Sequence, residues 1–506
     1  MKRSIDELSR GTFDVLILGG GITGAGVALD AALRGYRVAL IDKGDFAAGT
    51  SSASSKLVHG GLRYLEHGDF HLVYEALRER HRLLRNAPHL VQPLRFVIPF
   101  LRGARVPAWK WRLGLTLYDV LAGRGNIQRS RPLTPRALSR EFPALKTDQL
   151  SGGAEYHDAQ MDDARLCVAV LQTAALHGAC VANYVEAMSF LEAGGQLVGA
   201  RARDHVGGGE LDIHARQILN AAGPWVDAVC RLAGAQGEAH LQPSKGVHLV
   251  VPARGWSSAF LLLHPRDGRV FFVIPWLGKT LIGTTDTFSD QPADGLTVLP
   301  EEIAYLLEGH NHYFAPSLNE GDVLGSFAGL RPLLKGRKGD PSSRSREFQL
   351  FWSANGLLTV AGGKYTTYRH MAEVITDAIA RRLGGRSPCR TTDFPLDGAP
   401  TRPWPLFVAQ ETASLCQRYG LDSASARHLL ERYGRRAADV TAYLEERPEL
   451  AERIHADEPD MRVELLYQQE HEMALFPADH LLRRTRLGLF HPELLKAEAA
   501  PWLPSG

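Results

Sequence analysis

The chain has 506 residues, 44% hydrophobic and 23% charged, the make-up of a folded protein with a sizeable core and roughly three domains' worth of length. A net charge of +2 argues against a general nucleic-acid surface, and five widely spaced cysteines with no C-x-x-C pair point to reduced thiols in a cytoplasmic setting. The first apolar run is too short for a secretory signal and no window approaches the ~18 apolar residues of a transmembrane helix, so the expectation is a protein that is soluble or sits on a membrane surface.

In chain order, Phe13 to Leu18 predicts a buried strand, followed by Gly19-Gly20-Gly21-Ile22-Thr23-Gly24 and a small-residue helix that Gly35 ends. Tyr36 to Ile41 predicts a second strand ending at Asp42. Gly19, Gly21 and Gly24 occupy the G-x-G-x-x-G positions of a dinucleotide fingerprint. The first permits the turn, the second lets a pyrophosphate approach the backbone, and the third lets helix and strand pack closely. The helix N-terminus favours phosphate, and Asp42 can accept hydrogen bonds from a ribose. The fingerprint leaves NAD and FAD both open.

Residues 68–90 predict a helix with an apolar side. Phe100 to Arg112 mixes Arg102, Arg105, Lys110 and Arg112 with Trp109 and Trp111, and an apolar stretch from Leu113 to Leu121 follows. That combination suits either a membrane interface or a buried helix with solvated arginines. Residues 150–225 predict a return to the first domain, with a helix from Asp163 to His177. Gly246–Val251, Phe260–Leu263, Val270–Pro275 and Thr280–Gly283 predict an antiparallel sheet. Residues 323–382 predict strands and then a helix from Thr366 to Arg382. Residues 387–405 read as a linker, and residues 406–500 as helices near 407–419, 423–432, 436–445 and 459–475. His471-Glu472 lacks a second histidine at 475, so no zinc helix is expected there and no metal elsewhere.

Three more segments bear on the cofactor. Thr50 to Tyr64 is a hydroxyl-rich loop suited to a pyrophosphate and a flat ring. Leu219 to Trp225 ends a strand in small residues at Gly223. Thr359 to Tyr368 runs strand, Gly362-Gly363-Lys364, helix, and aims a second helix N-terminus at the same place. Together with Lys245-Gly246-Val247-His248, Phe272 to Trp276, Gly283-Thr284-Thr285-Asp286, Arg331-Pro332-Leu333 and Gly362 to Arg369, these segments resemble the family of FAD-dependent, aerobic, quinone-linked glycerol-3-phosphate dehydrogenases. The resemblance runs from about residue 12 to about 380 and continues weakly around Arg483-Arg484-Thr485. One departure is Asp42, where the family usually carries glutamate.

The resemblance implies an α/β plus α fold: a Rossmann-like FAD-binding domain of the D-amino-acid-oxidase/glutathione-reductase type, an antiparallel-sheet substrate domain and a helical C-terminal domain. The expected divisions are 12–90, 150–235 and 325–385 for FAD, 91–149 and 236–324 for the substrate, and 400–506 for the helical unit. The implied reaction is oxidation of sn-glycerol 3-phosphate to dihydroxyacetone phosphate, with hydride passed to non-covalent FAD and electrons to a membrane quinone. The implied place is the inner face of the cytoplasmic membrane, with peripheral attachment. A homodimer is allowed by the sequence and not specified by it.

Implied catalytic residues are His248, Arg331 and Lys364. Implied substrate ligands are Arg63, Tyr64, Thr285, Asp286 and Arg346, since a phosphate calls for guanidinium donors and an alkoxide for clustered cations. Implied cofactor contacts are Gly19, Gly21, Ile22, Thr23, Gly24, Asp42, Ser51, Ser54, Ser55, Lys56, Leu57, Gly223, Gly363, Lys364 and Thr366. Competing readings are a related FAD-dependent oxidase acting on an amino acid or hydroxy acid or using oxygen, and a non-enzymatic flavin sensor or membrane scaffold.

Overall fold

The structure is a computed structural model that describes residues 1–234, 240–335, 347–385 and 387–496. Two mixed sheets carry the molecule. The first runs, in spatial order, Phe348–Trp352, Leu358–Gly362, Glu210–Asn220, Thr12–Leu18, Val38–Ile41, Cys180–Ala182. Its central strands are parallel, as a strand–helix–strand unit requires, and Thr12–Leu18 lies between Val38–Ile41 and Glu210–Asn220. The hairpin Val185–Ala193 and Gln196–Asp204 extends it through Glu210–Asn220.

The fingerprint helix, Ile22–Leu33, covers this sheet beside the helices Asp163–Leu176 and Tyr368–Leu383. It is alanine- and glycine-rich because it is buried on nearly every side. A Cβ at Gly24 would overlap the Gly19 carbonyl, and one at Gly26 would lie 2.9 Å from the Tyr368 ring. These two glycines set the closeness of the packing.

The second sheet is antiparallel apart from one pair, Ala259–Leu263 beside Val91–Leu101. It contains the four strands expected between 244 and 283. It also takes strands expected in the cofactor domain. Leu150–Met161 pairs along its length with Val91–Leu101, Gly325–Arg331 pairs with Ser244–Pro252, and Leu57–Val58 pairs with Gln160 and Ala159. The chain therefore returns to the first sheet at Asp163 rather than at 150. The reason is pairing: Leu150–Met161 forms a long antiparallel ladder with Val91–Leu101, and side chains of both strands, Phe96, Ile98, Ala154 and Tyr156, share one core. Gly325–Arg331 likewise crosses into the second sheet, where Arg331 comes opposite Ser244.

Residues 404–472 form the expected helices, Trp404–Tyr419, Ser423–Tyr433, Ala437–Ala442 and Arg462–Glu472, around their own apolar core. This unit is tied to the first sheet by buried charges. Arg484 donates to both carboxylate oxygens of Asp45 at 2.8 and 3.0 Å, Arg486 to Asp162 and Asp163 at 3.0 and 2.5 Å, and Arg165 pairs with Glu472. The five cysteines form no disulfide with one another.

Candidate active site

The strands of both sheets end around one cavity of about 760 Å³, within the usual range for a cofactor or ligand site. Its floor is the fingerprint. Gly19 adopts φ +114°, and a Cβ there would lie 2.6 Å from the Ala221 carbonyl, so only glycine allows the two strand ends to pass. Gly21 stands at the N-terminus of Ile22–Leu33 and places no side chain across the helix end. The Ile22 amide donates to Ser51 Oγ at 2.9 Å, which joins the hydroxyl-rich loop to the helix terminus. On the far side Gly362 and Gly363, at φ +83° and +96°, present bare backbone to the same space. Backbone and small side chains along three walls, with a helix terminus between them, are what a flat dinucleotide requires.

Asp42 closes the end of Val38–Ile41. Its carboxylate accepts from the Gly20 amide at 2.6 Å and the Gly44 amide at 2.9 Å, and burial pushes its pKa up to about 6 against the pull of those two donors. Asp42 lines the cavity, and with one amide donor on each oxygen it keeps further lone-pair capacity as an acceptor.

Gly19, Gly21, Ile22, Thr23, Asp42, Ser51, Ser54, Ser55, Leu57, Gly223, Gly363, Lys364 and Thr366 all line the cavity, as do Tyr64, His248 and Arg331. The structure places four expected residues differently. Gly24 lies beneath the floor, packed against Gly19. Lys56 turns its side chain away, where Nζ donates to Asp163 at 2.8 Å and to the Ser52 carbonyl at 2.5 Å. Its φ of +59° aims the chain at that buried acid, and burial lowers its pKa to about 8. Thr285 Oγ1 accepts from the Val247 amide at 3.0 Å, and Asp286 accepts from Ser244 Oγ at 2.8 Å, so both support the wall rather than face the cavity. The side chain of Arg63 and all of Arg346 lie outside the described residues.

The support has a clear object. Arg331 donates through Nη1 to Asp286 at 3.1 Å and Ser244 Oγ at 3.3 Å, and through Nη2 to Thr284 Oγ1 at 2.9 Å and the Thr285 carbonyl at 3.1 Å. Gly246 makes room for this guanidinium: a Cβ there would lie 2.7 Å from Cζ and 2.7 Å from Thr284 Oγ1. His248 shares a hydrogen bond of 2.8 Å between Nε2 and Ser55 Oγ, and stacks on Phe327 with centroids 4.9 Å apart. Burial, then Arg331 and Lys56, push its pKa well below the ordinary value, so the imidazole is neutral at pH 7. The Lys364 ammonium lies 3.7 Å from the centre of the Tyr64 ring. Two cations, a neutral imidazole and a phenol thus converge beside the cofactor-shaped floor.

Trp225, His59, Tyr365 and Gly246 also line the cavity and were not singled out as site residues. A glycine inside the alternating strand around Val247 signals close approach and could have marked the Arg331 seat. Nothing in the sequence pattern marks His59.

The model of the family "FAD dependent oxidoreductase" matches residues 14–369, and the model of the "C-terminal domain of alpha-glycerophosphate oxidase" matches residues 389–501. The chain is 38% identical to the aerobic glycerol-3-phosphate dehydrogenase of Bacillus subtilis, over 96% of this chain and 88% of that one. It is 38% identical to the glycerol-3-phosphate dehydrogenase of Synechocystis, over 96% and 91%. Its fold matches the X-ray structure of the glycerol-3-phosphate dehydrogenase from Bacillus halodurans complexed with FAD, with a TM-score of 0.81, 33% identity, and coverage of 99% of this chain and 93% of that one. Fingerprint, cavity and relatives agree, and the chain belongs to the FAD-dependent glycerol-3-phosphate dehydrogenase family.

Proposed function

We propose that this protein oxidises sn-glycerol 3-phosphate to dihydroxyacetone phosphate and passes the electrons to a membrane quinone. The observation that carries the reading is the meeting of Arg331, Lys364, Tyr64 and neutral His248 in the cavity that the glycine floor shapes for a dinucleotide. FAD, held non-covalently by the glycine floor and Asp42, would supply the acceptor for the hydride of the carbinol carbon. Arg331, fixed by Asp286 and Thr284, and Lys364, fixed over Tyr64, hold the phosphate and the developing alkoxide by charge-assisted hydrogen bonds. His248 takes the hydroxyl proton at Nε2, the nitrogen that meets Ser55. A dianionic substrate nearby raises the basicity that burial, Arg331 and Lys56 lower.

The membrane part of the proposal rests on the helix Ala108–Ala122. Trp109, Leu113 and Val120 are 66%, 62% and 69% exposed. At 100° per residue they fall within about 40° of one another, on one outward face. Lys110 and Arg112 are exposed beside them, and the packed neighbouring helix Phe70–Asn86 exposes Phe70 and Tyr74. An apolar stripe flanked by cations suits an anionic bilayer. No described helix is long and apolar enough to cross one.

Anaerobic addition of glycerol 3-phosphate is expected to bleach the flavin, while glycerol and amino acids are not. A short-chain quinone is expected to restore the colour faster than oxygen does. Absence of bleaching overturns the substrate, and equal or faster recovery with oxygen indicates an oxidase. Replacing Trp109, Leu113 and Val120 together by serine is expected to abolish sedimentation with anionic vesicles and to spare turnover with a soluble acceptor. Unchanged sedimentation removes this helix as the attachment.

A further inference from the structure

The turn that carries Tyr64 is held by a side chain that does not reach the cavity. We propose that Tyr118 is a positioning residue: its hydroxyl fixes the Gly60 amide and thereby the Tyr64 ring over Lys364. The inference rests on the proposed function of that turn as part of the substrate pocket.

Tyr118 belongs to Ala108–Ala122, on the face about 180° from the exposed Trp109 at 100° per residue. It is 2% exposed. The Gly60 amide donates to its oxygen at 2.8 Å, and its hydroxyl donates to Asp158 at 2.7 Å. Arg80 fixes the acid in turn, donating to Asp158 at 2.6 Å and to the His157 carbonyl at 3.0 Å. Asp158 and Arg80 are 1% and 0% exposed. The turn sits directly on this hydroxyl, because a Cβ at Gly60 would lie 2.6 Å from it and 2.8 Å from Leu77. Gly61 follows at φ +78°, the Tyr64 amide donates to the Gly61 carbonyl at 2.9 Å, and a Cβ at Gly61 would overlap the Tyr64 ring. From Asp158 to Lys364 every link is a short contact.

A buried acid, phenol and guanidinium are costly unless each satisfies the others, and an apolar trio of the same shape would fill the space with less desolvation. What an apolar trio would lack is an acceptor for the Gly60 amide. That amide belongs to a turn of two successive glycines with little conformational preference of its own. The hydroxyl supplies the missing constraint.

The test is a titration of holoenzyme with glycerol 3-phosphate in anaerobic stopped flow, which separates the dissociation constant from the reduction rate at saturation. Tyr118→Phe, one oxygen smaller, is expected to raise the dissociation constant by about tenfold while the saturated rate changes by less than about threefold. Asp158→Asn keeps an oxygen for the Tyr118 hydroxyl but loses the charge that pairs with Arg80. It is expected to lower the thermal midpoint and to leave substrate affinity close to that of the wild type. Unchanged affinity in Tyr118→Phe overturns the inference. So does a loss of affinity in both variants that merely tracks their loss of stability. Wild-type enzyme that glycerol 3-phosphate does not reduce at all would instead overturn the functional reading.

Discussion

Gly246→Ala separates the seat of Arg331 from its charge. Gly246 lies in regular strand opposite Gly329, so alanine brings no backbone strain. Its Cβ would lie 2.7 Å from Arg331 Cζ, where ordinary contact needs ~3.5 Å or more, so the guanidinium must move by about 1 Å. The nitrogen displaced is Nη2, which donates to Thr284 Oγ1 and the Thr285 carbonyl. Two such bonds from a charged donor are worth ~1.5–3 kcal/mol each, so the loss of stability reaches about 3–6 kcal/mol if neither re-forms. A second effect falls on substrate. A charged donor moved off a phosphate forfeits ~1.5–3 kcal/mol, equivalent to roughly a 10- to 150-fold higher KM. Steady-state turnover of glycerol 3-phosphate with a soluble acceptor, alongside a thermal melt, reads both quantities. An unchanged KM in a normally folded variant would refute the assignment of the Arg331 seat to substrate binding.

Two further outcomes follow from groups around the cavity and in the core. Asp42→Ala leaves the Gly20 and Gly44 amides without their acceptor, and the flavin-to-protein ratio after gel filtration is expected to fall well below that of wild type; full flavin content would show that Asp42 does not hold the cofactor. Burial lowers the pKa of His89 to about 3, and of His310 and His480 to about 4. As pH falls through 6.5 the unfolded chain binds protons that these imidazoles refuse, so stability present at pH 7.5 is lost at about 1.3 kcal/mol per group by pH 5.5. Asp42, with its pKa raised to about 6, returns less than ~1 kcal/mol over the same range. Urea denaturation of the apoprotein should show a lower midpoint at pH 5.5 than at 7.5, and equal midpoints would contradict the balance.

The fingerprint was legible because each glycine has a local reason that a short stretch of sequence exposes: a positive φ at Gly19, a helix end at Gly21, a strand contact at Gly24. The second sheet was legible only in part. Leu150–Met161 and Gly325–Arg331 carry strand patterns, but which sheet a strand joins depends on partners far along the chain, Val91–Leu101 and Ser244–Pro252, and local pattern is silent on that. The same limit applies to Lys56. Its place in a loop of serines resembles a ligand, and only the tertiary fold brings Asp163 close enough to take it. Thr285 and Asp286 were found as a motif, yet their work is to hold Arg331, a relation that appears once Ser244–Pro252 and Gly325–Arg331 are paired.

The arginines at 484 and 486 bear on how the protein is made. Asp45 is buried, and its cationic partners Arg483 and Arg484 stand more than 400 residues later in the chain, whereas Asp163 already has Lys56 beside it before Arg486 arrives. During synthesis the loop that carries Asp45 therefore lacks the cations for one buried acid, a cost of several kcal/mol, until nearly the whole protein has emerged. The first sheet can form early, while the loop that carries Asp45 settles with its C-terminal partners. Flavin loading is therefore expected late: a chain broken before residue 483 keeps the entire fingerprint and is expected to show a lower flavin-to-protein ratio than the full chain.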